Sequence, residues 1–243
     1  MARPKVKTMF VCDSCGNDSP KWEGRCPSCG EWNTLVEVRT DRHKSRDRHW
    51  SGASAISPQE LSQVSTADLP RLKLSSAEVN RVLGGGIVPG SLVVIAGDPG
   101  IGKSTLLLDV AAHSAASGHR VLYASAEESV AQVRLRASRT GALHDELYLA
   151  SETDLATILG NVDEVQPSLL IVDSVQTVSS AMHEGAAGHP SQVREVASTL
   201  IRVAKDRGLP VIIVGHVTKD GSIAGPRILE HLVDVVCHFE GDR

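Results

Sequence analysis

The octapeptide Gly97-Asp98-Pro99-Gly100-Ile101-Gly102-Lys103-Ser104 constrains this chain more than any other stretch. It satisfies the G-x-x-x-x-G-K-[ST] pattern in full. The apolar run LVVIA precedes it and a helical pattern opens at Lys103. Strand, glycine-rich loop and helix in that order form a phosphate cradle: glycines let successive N–H groups turn inward, and the helix N-terminus adds partial positive charge. Gly97, Asp98, Pro99, Gly100, Ile101, Gly102, Lys103, Ser104 and Thr105 are therefore the candidate nucleotide-binding residues. Lys103 is placed to reach the β- and γ-phosphates, Ser104 to bind Mg²⁺ through its hydroxyl, and Thr105 to lie near the α- or β-phosphate.

A loop of this kind needs a parallel sheet around it. Short β-branched runs recur at Leu92–Ala96, Arg120–Ser125, Leu147–Ala150, Leu169–Asp173, Val211–Gly215 and Val233–Phe239. Helical patterns fall between them at Lys103–Ser117, Val130–Thr140, Leu155–Val165 and Gln192–Arg207, with Gly208 and Pro210 ending the last. Such alternation predicts an α/β fold, a mostly parallel sheet with helices on both faces. Aromatics are only 3% of the chain, so Val, Leu, Ile and Ala must fill the core. Cys237, alone in the apolar run Val233–Phe239, reads as a packing residue.

The strand Leu169–Asp173 ends in a carboxylate, the Walker B pattern, and Asp173 is the second candidate magnesium ligand. Hydrolysis also requires a group that orients water. Glu127 and Glu128 follow the strand RVLYAS; Glu127 is the candidate base and Glu128 its substitute, the competing reading being that both acids simply open the next helix. His216 ends the strand VIIVG, where it can sense the γ-phosphate. The loops Ser179–Pro190 and Val217–Arg227, rich in glycine and small residues, read as mobile or as plain surface.

Four of the five cysteines precede residue 30. Cys12-x2-Cys15 and Cys26-x2-Cys29 form two knuckles, each followed by a glycine. Four thiolates can close a tetrahedral Zn²⁺ shell with no open position, which marks the site as structural; two disulfides or free thiols are the alternatives. The expected organisation is a C4 zinc module at 1–38, a polar linker at 39–70 with a short helix near Gln59–Val64, and a nucleotide-binding core at 71–243. The formal net charge of −4 hides a front-loaded basic excess, ten Lys or Arg against seven Asp or Glu in residues 1–50. The basic stretch Arg39–Arg48, with Trp50 beyond it, could track a phosphate backbone or be a charged linker. No apolar run spans a membrane and the N-terminus lacks the apolar stretch of a secretory signal, so a cytoplasmic location is expected.

The order of the C4 motif, EVNRVLGGGIVPGS, GDPGIGKST, ASAEES, LLIVDSVQT, VGHVTKDGSIAGPR and LEHLVDVVCHFEGD resembles the RadA (Sms) family of bacterial DNA repair proteins, relatives of RecA. The resemblance covers residues 8–243. It implies a RecA-like P-loop ATPase core behind a zinc ribbon, with ATP/ADP, Mg²⁺ and Zn²⁺ as cofactors. It further implies binding of single-stranded and branched DNA, branch migration, assembly as a homo-hexamer in the full-length protein, and a recombinase or helicase partner. Carried over by position, Lys103 and Ser104 match Walker A, Asp173 Walker B, Glu127 the catalytic glutamate and His216 a nucleotide-sensing position. Ser179–Pro190 and Val217–Arg227 fall where RecA relatives place DNA-binding loops. Where the family usually has Ser-Gly-Glu-Glu-Ser, this chain reads Ser125-Ala126-Glu127-Glu128-Ser129. The family continues into a Lys-Asn-Arg-Phe-Gly signature and a Lon-protease-like domain, and this chain stops at Arg243, as expected of a piece of a longer protein. Two competing readings are a nucleotide-gated DNA- or protein-binding switch with little turnover, and a RecA-related kinase of the circadian-clock type.

Overall fold

Apolar residues in β-branched runs should alternate between the two faces of a sheet, and they do. The computed structural model describes residues 7–12, 15–40, 60, 70–183, 185–216 and 228–241. They fall into two compact units, Met1–Pro70 and Arg71–Arg243.

In the second unit the strands are β4 (Leu92–Gly97), β5 (Val121–Ser125), β6 (Leu147–Ser151), β7 (Leu169–Asp173), β8 (Val211–His216) and β9 (Val235–Phe239). They form a six-stranded sheet in the order β6-β5-β7-β8-β4-β9, every pair parallel. The register Leu92↔Val211 and Val121↔Leu169 carries the alternation coherently across the sheet. Leu92, Val94, Leu122, Leu170, Val211 and Ile213 face one core, shared with helices α4 (Leu155–Val165) and α5 (Pro190–Arg207). Val93, Ile95, Tyr123, Ile171, Ile212 and Val214 face the other, shared with α2 (Lys103–Ala116) and α3 (Val130–Thr140). Burying each such aliphatic side chain contributes about 1.5–3 kcal/mol.

Local chemistry sets the helix ends. Ser129 and Gln132 make a reciprocal capping box at the start of α3, and Gly141 ends it at φ 71°. Asp154 caps α4 by accepting from the Thr157 N–H at 2.9 Å. α5 begins at Pro190, two residues before the helical pattern suggests, because proline is pre-set for the first turn; Gly208 ends it at φ 63°. β9 begins two residues later than the apolar run. The short helix α6 (Ile228–Leu232) precedes it, and the Asp234 carboxylate accepts from the Leu92 N–H at 2.9 Å. Sequence patterning missed α1 (Ala77–Val82), a single capped turn and a half with no buried residues.

The first unit holds β1 (Lys7–Cys12), β2 (Asp18–Ser19) and β3 (Leu35–Thr40), an antiparallel sheet in the order β2-β1-β3. The helix expected near Gln59–Val64 apart from Glu60, nearly all of the linker and the loop Val217–Arg227 lie outside the described residues. Among the described residues no helix is long and apolar enough to cross a membrane.

Two glycines test this packing in opposite directions. A Cβ on Gly97 would sit 2.3 Å from the Phe239 carbonyl oxygen, whereas one on Gly160, within α4, would meet nothing within 4 Å. Urea denaturation followed by far-ultraviolet circular dichroism should show Gly97→Ala destabilised by about 1–3 kcal/mol, and Gly160→Ala stabilised by up to about 1 kcal/mol.

Candidate active site and metal centre

Parallel strands bring their carboxyl ends to one edge, and a doubly wound sheet binds ligands there. The ends of β4, β5, β7 and β8 carry Gly97, Ser125, Asp173 and His216 at that edge. The loop after β4 turns through Gly100 (φ 77°) and Gly102 (φ 108°), a backbone conformation side chains oppose. Gly102 is the N-cap of α2 and supplies no side-chain cap, which leaves the first helical N–H groups available to an anion. Lys103 is buried at 4% exposure, and its ammonium donates to the carbonyls of Gly97 at 2.7 Å and Asp98 at 2.8 Å. Burial lowers its pKa, and the opposing charges of Asp173, Glu127 and Asp98 raise it part of the way back. Ser104 is half-buried, while Asp98, Pro99, Gly100 and Thr105 are exposed.

Asp173 is also buried, at 4% exposure. Its Oδ2 accepts a hydrogen bond from the Tyr123 hydroxyl at 2.6 Å. The turn after β5 is tied to the end of β7 by the Ala126 N–H, which donates to the Asp173 carbonyl at 2.7 Å. Ser125, inside that turn, accepts from the Glu128 N–H at 3.1 Å and donates to the Glu128 carbonyl at 3.0 Å.

The two glutamates part company here. Both precede the Ser129 N-cap, so neither lies in the first turn of α3. Glu128 reaches back to pair with Arg136 of α3 at 2.7 Å. Glu127 turns to the strand ends, where its Oε1 accepts from the Ser174 hydroxyl and lies 2.9 Å from His216 Nε2. Burial pushes the Glu127 pKa up, but the hydrogen bonds from Ser174 and His216 and the charges of His216 and Lys103 outweigh it, and the carboxyl is held below its ordinary range. Lys103, Glu127, Asp173 and His216 thus gather into one electrostatic cluster. Ser174 and Tyr123 are tied to it by hydrogen bonds, Ser125 through the neighbouring Glu128, and none of the three carries a role read from the sequence. For Tyr123 the one available signal is that a buried phenol requires an acceptor.

The Ser179–Pro190 loop, glycine-rich and readable as mobile, is pinned through one side chain. The buried Gln192 of α5 accepts from the Ser180 N–H at 2.8 Å and donates to the carbonyls of His183 at 2.6 Å, Ser180 at 3.2 Å and Gly185 at 3.2 Å.

In the first unit the two knuckles repeat one geometry. The Gly16 N–H donates to the Cys12 carbonyl at 2.8 Å and the Gly30 N–H to the Cys26 carbonyl at 3.0 Å, with both glycines in the left-handed region. The four Sγ atoms lie within 4.8 Å of one another, Cys12 to Cys29 at 3.6 Å and Cys15 to Cys26 at 3.5 Å. Sulfurs bound about 2.3 Å from a tetrahedral zinc stand about 3.8 Å apart, so the donor set fits the ion. Cys237, in β9, is half-buried beside the core, and burial raises its thiol pKa.

Comparison with known proteins agrees with this geometry. Residues 57–222 match the family described as AAA domain, and residues 10–37 one described as rubredoxin metal binding domain. A KaiC-like protein of the hyperthermophilic archaeon Pyrococcus horikoshii superposes with a TM-score of 0.58 at 18% identity, covering 72% of this chain and 84% of that one, and shares the fold. The chain belongs to the AAA-domain family and carries a RecA-like P-loop ATPase domain behind a zinc ribbon. Within that class it is similar to the DNA repair protein RadA of Bacillus subtilis, 50% identical over 242 residues, and to RadA of Mycolicibacterium smegmatis, 49% identical over 250. These alignments cover 98% and 100% of this chain, which spans about half the length of those relatives, 53% and 54%. The resemblance read from the motifs is thereby borne out.

All three tryptophans, Trp22, Trp32 and Trp50, fall within the span of the first unit. Chelating the zinc under reducing conditions should therefore change tryptophan emission intensity with little shift of its maximum, since Trp22 and Trp32 are already 56% and 68% exposed, while the denaturation midpoint of the ATPase unit stays put. Metal analysis should return one zinc and no iron per chain.

Deleting the Ser174 hydroxyl should raise the Glu127 pKa toward the ordinary carboxylate range. The native carboxyl, with its folded pKa depressed, keeps its favourable contacts above that range and loses them as pH falls through the depressed value. Carbon NMR of the side-chain carboxyl checks this; a Ser174→Ala variant titrating like the parent would show that the hydroxyl does not tune Glu127.

Proposed function

We propose that this chain is the ATP-hydrolysing motor portion of a DNA repair protein. In this reading it binds single-stranded DNA, promotes branch migration of recombination intermediates, acts in the cytoplasm and works as a homo-hexamer when full-length, with a recombinase or helicase as protein partner. The observation that carries the catalytic half is the Glu127 carboxylate, kept ionised and oriented by Ser174 and His216 beside the buried Lys103 and Asp173. The DNA half rests on likeness to RadA proteins.

The residues divide the work as follows. Loop N–H groups and Lys103 hold the phosphates, the ammonium exchanging the Gly97 and Asp98 carbonyls for phosphate oxygens. Ser104 and Asp173 would hold Mg²⁺, which offsets charge on the bridging and γ-phosphate oxygens when bound. Among the described residues, both hydrogen bonds to the Glu127 carboxylate fall on Oε1. Oε2 is the atom we assign to the attacking water, aligning it for in-line displacement and drawing off its proton. His216 then reports on the γ-phosphate, because it shares Glu127 and opens directly into Val217–Arg227. Gln192 fixes the shape of the second proposed DNA loop, Ser179–Pro190. In the first unit, zinc holds the knuckles and takes no part in the chemistry.

Glu127→Gln decides between motor and switch. A motor retains ATP affinity and loses about 10²–10⁴-fold in turnover; a variant whose ligand-dependent behaviour is unchanged would mark a switch instead. The same protein, with labelled single-stranded DNA, should show nucleotide-dependent anisotropy that falls with salt. Lys103→Ala should lose nucleotide binding with its fold intact.

A further inference from the structure

Among the described residues Tyr123 is the largest fully buried side chain, and its apolar surroundings ask for no hydroxyl. It lies in the apolar cluster with Leu108, Val133, Ala137 and Ile171, where phenylalanine would fill the same volume. Burying a phenol there costs desolvation unless the hydroxyl is paired. Its partner is the Asp173 carboxylate, Oδ2 at 2.6 Å. The contact follows from register: Tyr123 pairs with Ile171 and Ser125 with Asp173, so Tyr123 and Asp173 stand on one sheet face, two residues offset along adjacent strands. Lys103, a cationic donor nearby, is occupied by the Gly97 and Asp98 carbonyls. Among the described residues the hydrogen bond to the Asp173 carboxylate comes from Tyr123.

We propose that Tyr123 is a positioning residue for magnesium binding: it locks the rotation of the Asp173 carboxylate through Oδ2 so that Oδ1 is presented to the ion's coordination sphere. The proposal rests on the reading of Asp173 as a magnesium-binding group. Outer partners of metal-binding carboxylates restrict their orientation, and removing one typically weakens metal affinity about 10–100-fold. Tyr123 is fully buried and its hydroxyl reaches Asp173, so its effect passes through that carboxylate.

The test is a magnesium titration of the ADP complex, read as thermal stabilisation, for the parent chain, Tyr123→Phe and Asp173→Asn. Expected for Tyr123→Phe are a half-saturating Mg²⁺ concentration raised about tenfold or more, ADP binding in EDTA within about twofold of the parent, and a cooperative unfolding transition. A midpoint unchanged in Tyr123→Phe but raised in Asp173→Asn would overturn the role of Tyr123 and leave the Asp173 reading standing. Midpoints unchanged in both would sink the Asp173 reading itself, and the proposal with it. A second measurement needs no core variant. The chain has two tyrosines, Tyr123 and the exposed Tyr148. With 3-fluorotyrosine incorporated, Mg²⁺ added to the ADP complex should move the Tyr123 fluorine resonance and leave that of Tyr148 in place. A stationary Tyr123 resonance would equally overturn the proposal.

Discussion

A parallel sheet must be buried on both faces, because the helices that return the chain to the next strand lie across them. In this chain that constraint is met by strict alternation. Odd-numbered residues of β4, β5 and β7 supply one core and even-numbered residues the other, and β8 continues both layers in register. Once the layers are set, little freedom remains at the carboxyl ends of the strands. Gly97, Ser125, Asp173 and His216 arrive at one edge as a consequence of packing tens of aliphatic atoms well below them.

The electrostatics of the site follow from that arrival. Lys103 is drawn into a buried position where its charge is costly, and three acids compensate. The neighbouring carboxylates are held by different donors: Asp173 by a buried phenol, Glu127 by a serine hydroxyl and a part-exposed imidazole. His216 is the last residue of β8, directly before Val217–Arg227 in the chain.

The zinc unit is organised on a different principle. Its described buried core comprises Cys12, Cys26 and Leu35, with Phe10 and Cys15 packed beside them. So small an apolar cluster needs the metal to close it. Trp22 and Trp32 are left at 56% and 68% exposure, outside this core. Stability and chemistry are thus divided between the units, thiolates and metal in one, aliphatic layers and a phosphate loop in the other.

Much of the fold and part of the site are legible in the amino-acid sequence. Glycines spaced for a phosphate loop, cysteines paired for a metal, and apolar runs alternating with capped helices are local patterns. They come from steric and periodic rules that act within a few residues, and Gly97–Ser104, Cys12 through Cys29 and Leu169–Asp173 can be read for that reason. Where α1 forms, how far α5 begins ahead of its apolar pattern and where β9 starts depend on caps and on single contacts such as Asp234 with Leu92. The choice between Glu127 and Glu128, the Tyr123–Asp173 pair and the Gln192 clamp lie beyond local rules altogether. Each joins residues on different elements or loops, 7 to 89 positions apart. The sequence by itself determined which chemistry the chain carries and the class of sheet that holds it; only the tertiary structure decided which carboxylate serves which partner, because strand register, not proximity in the chain, sets what a buried side chain can touch.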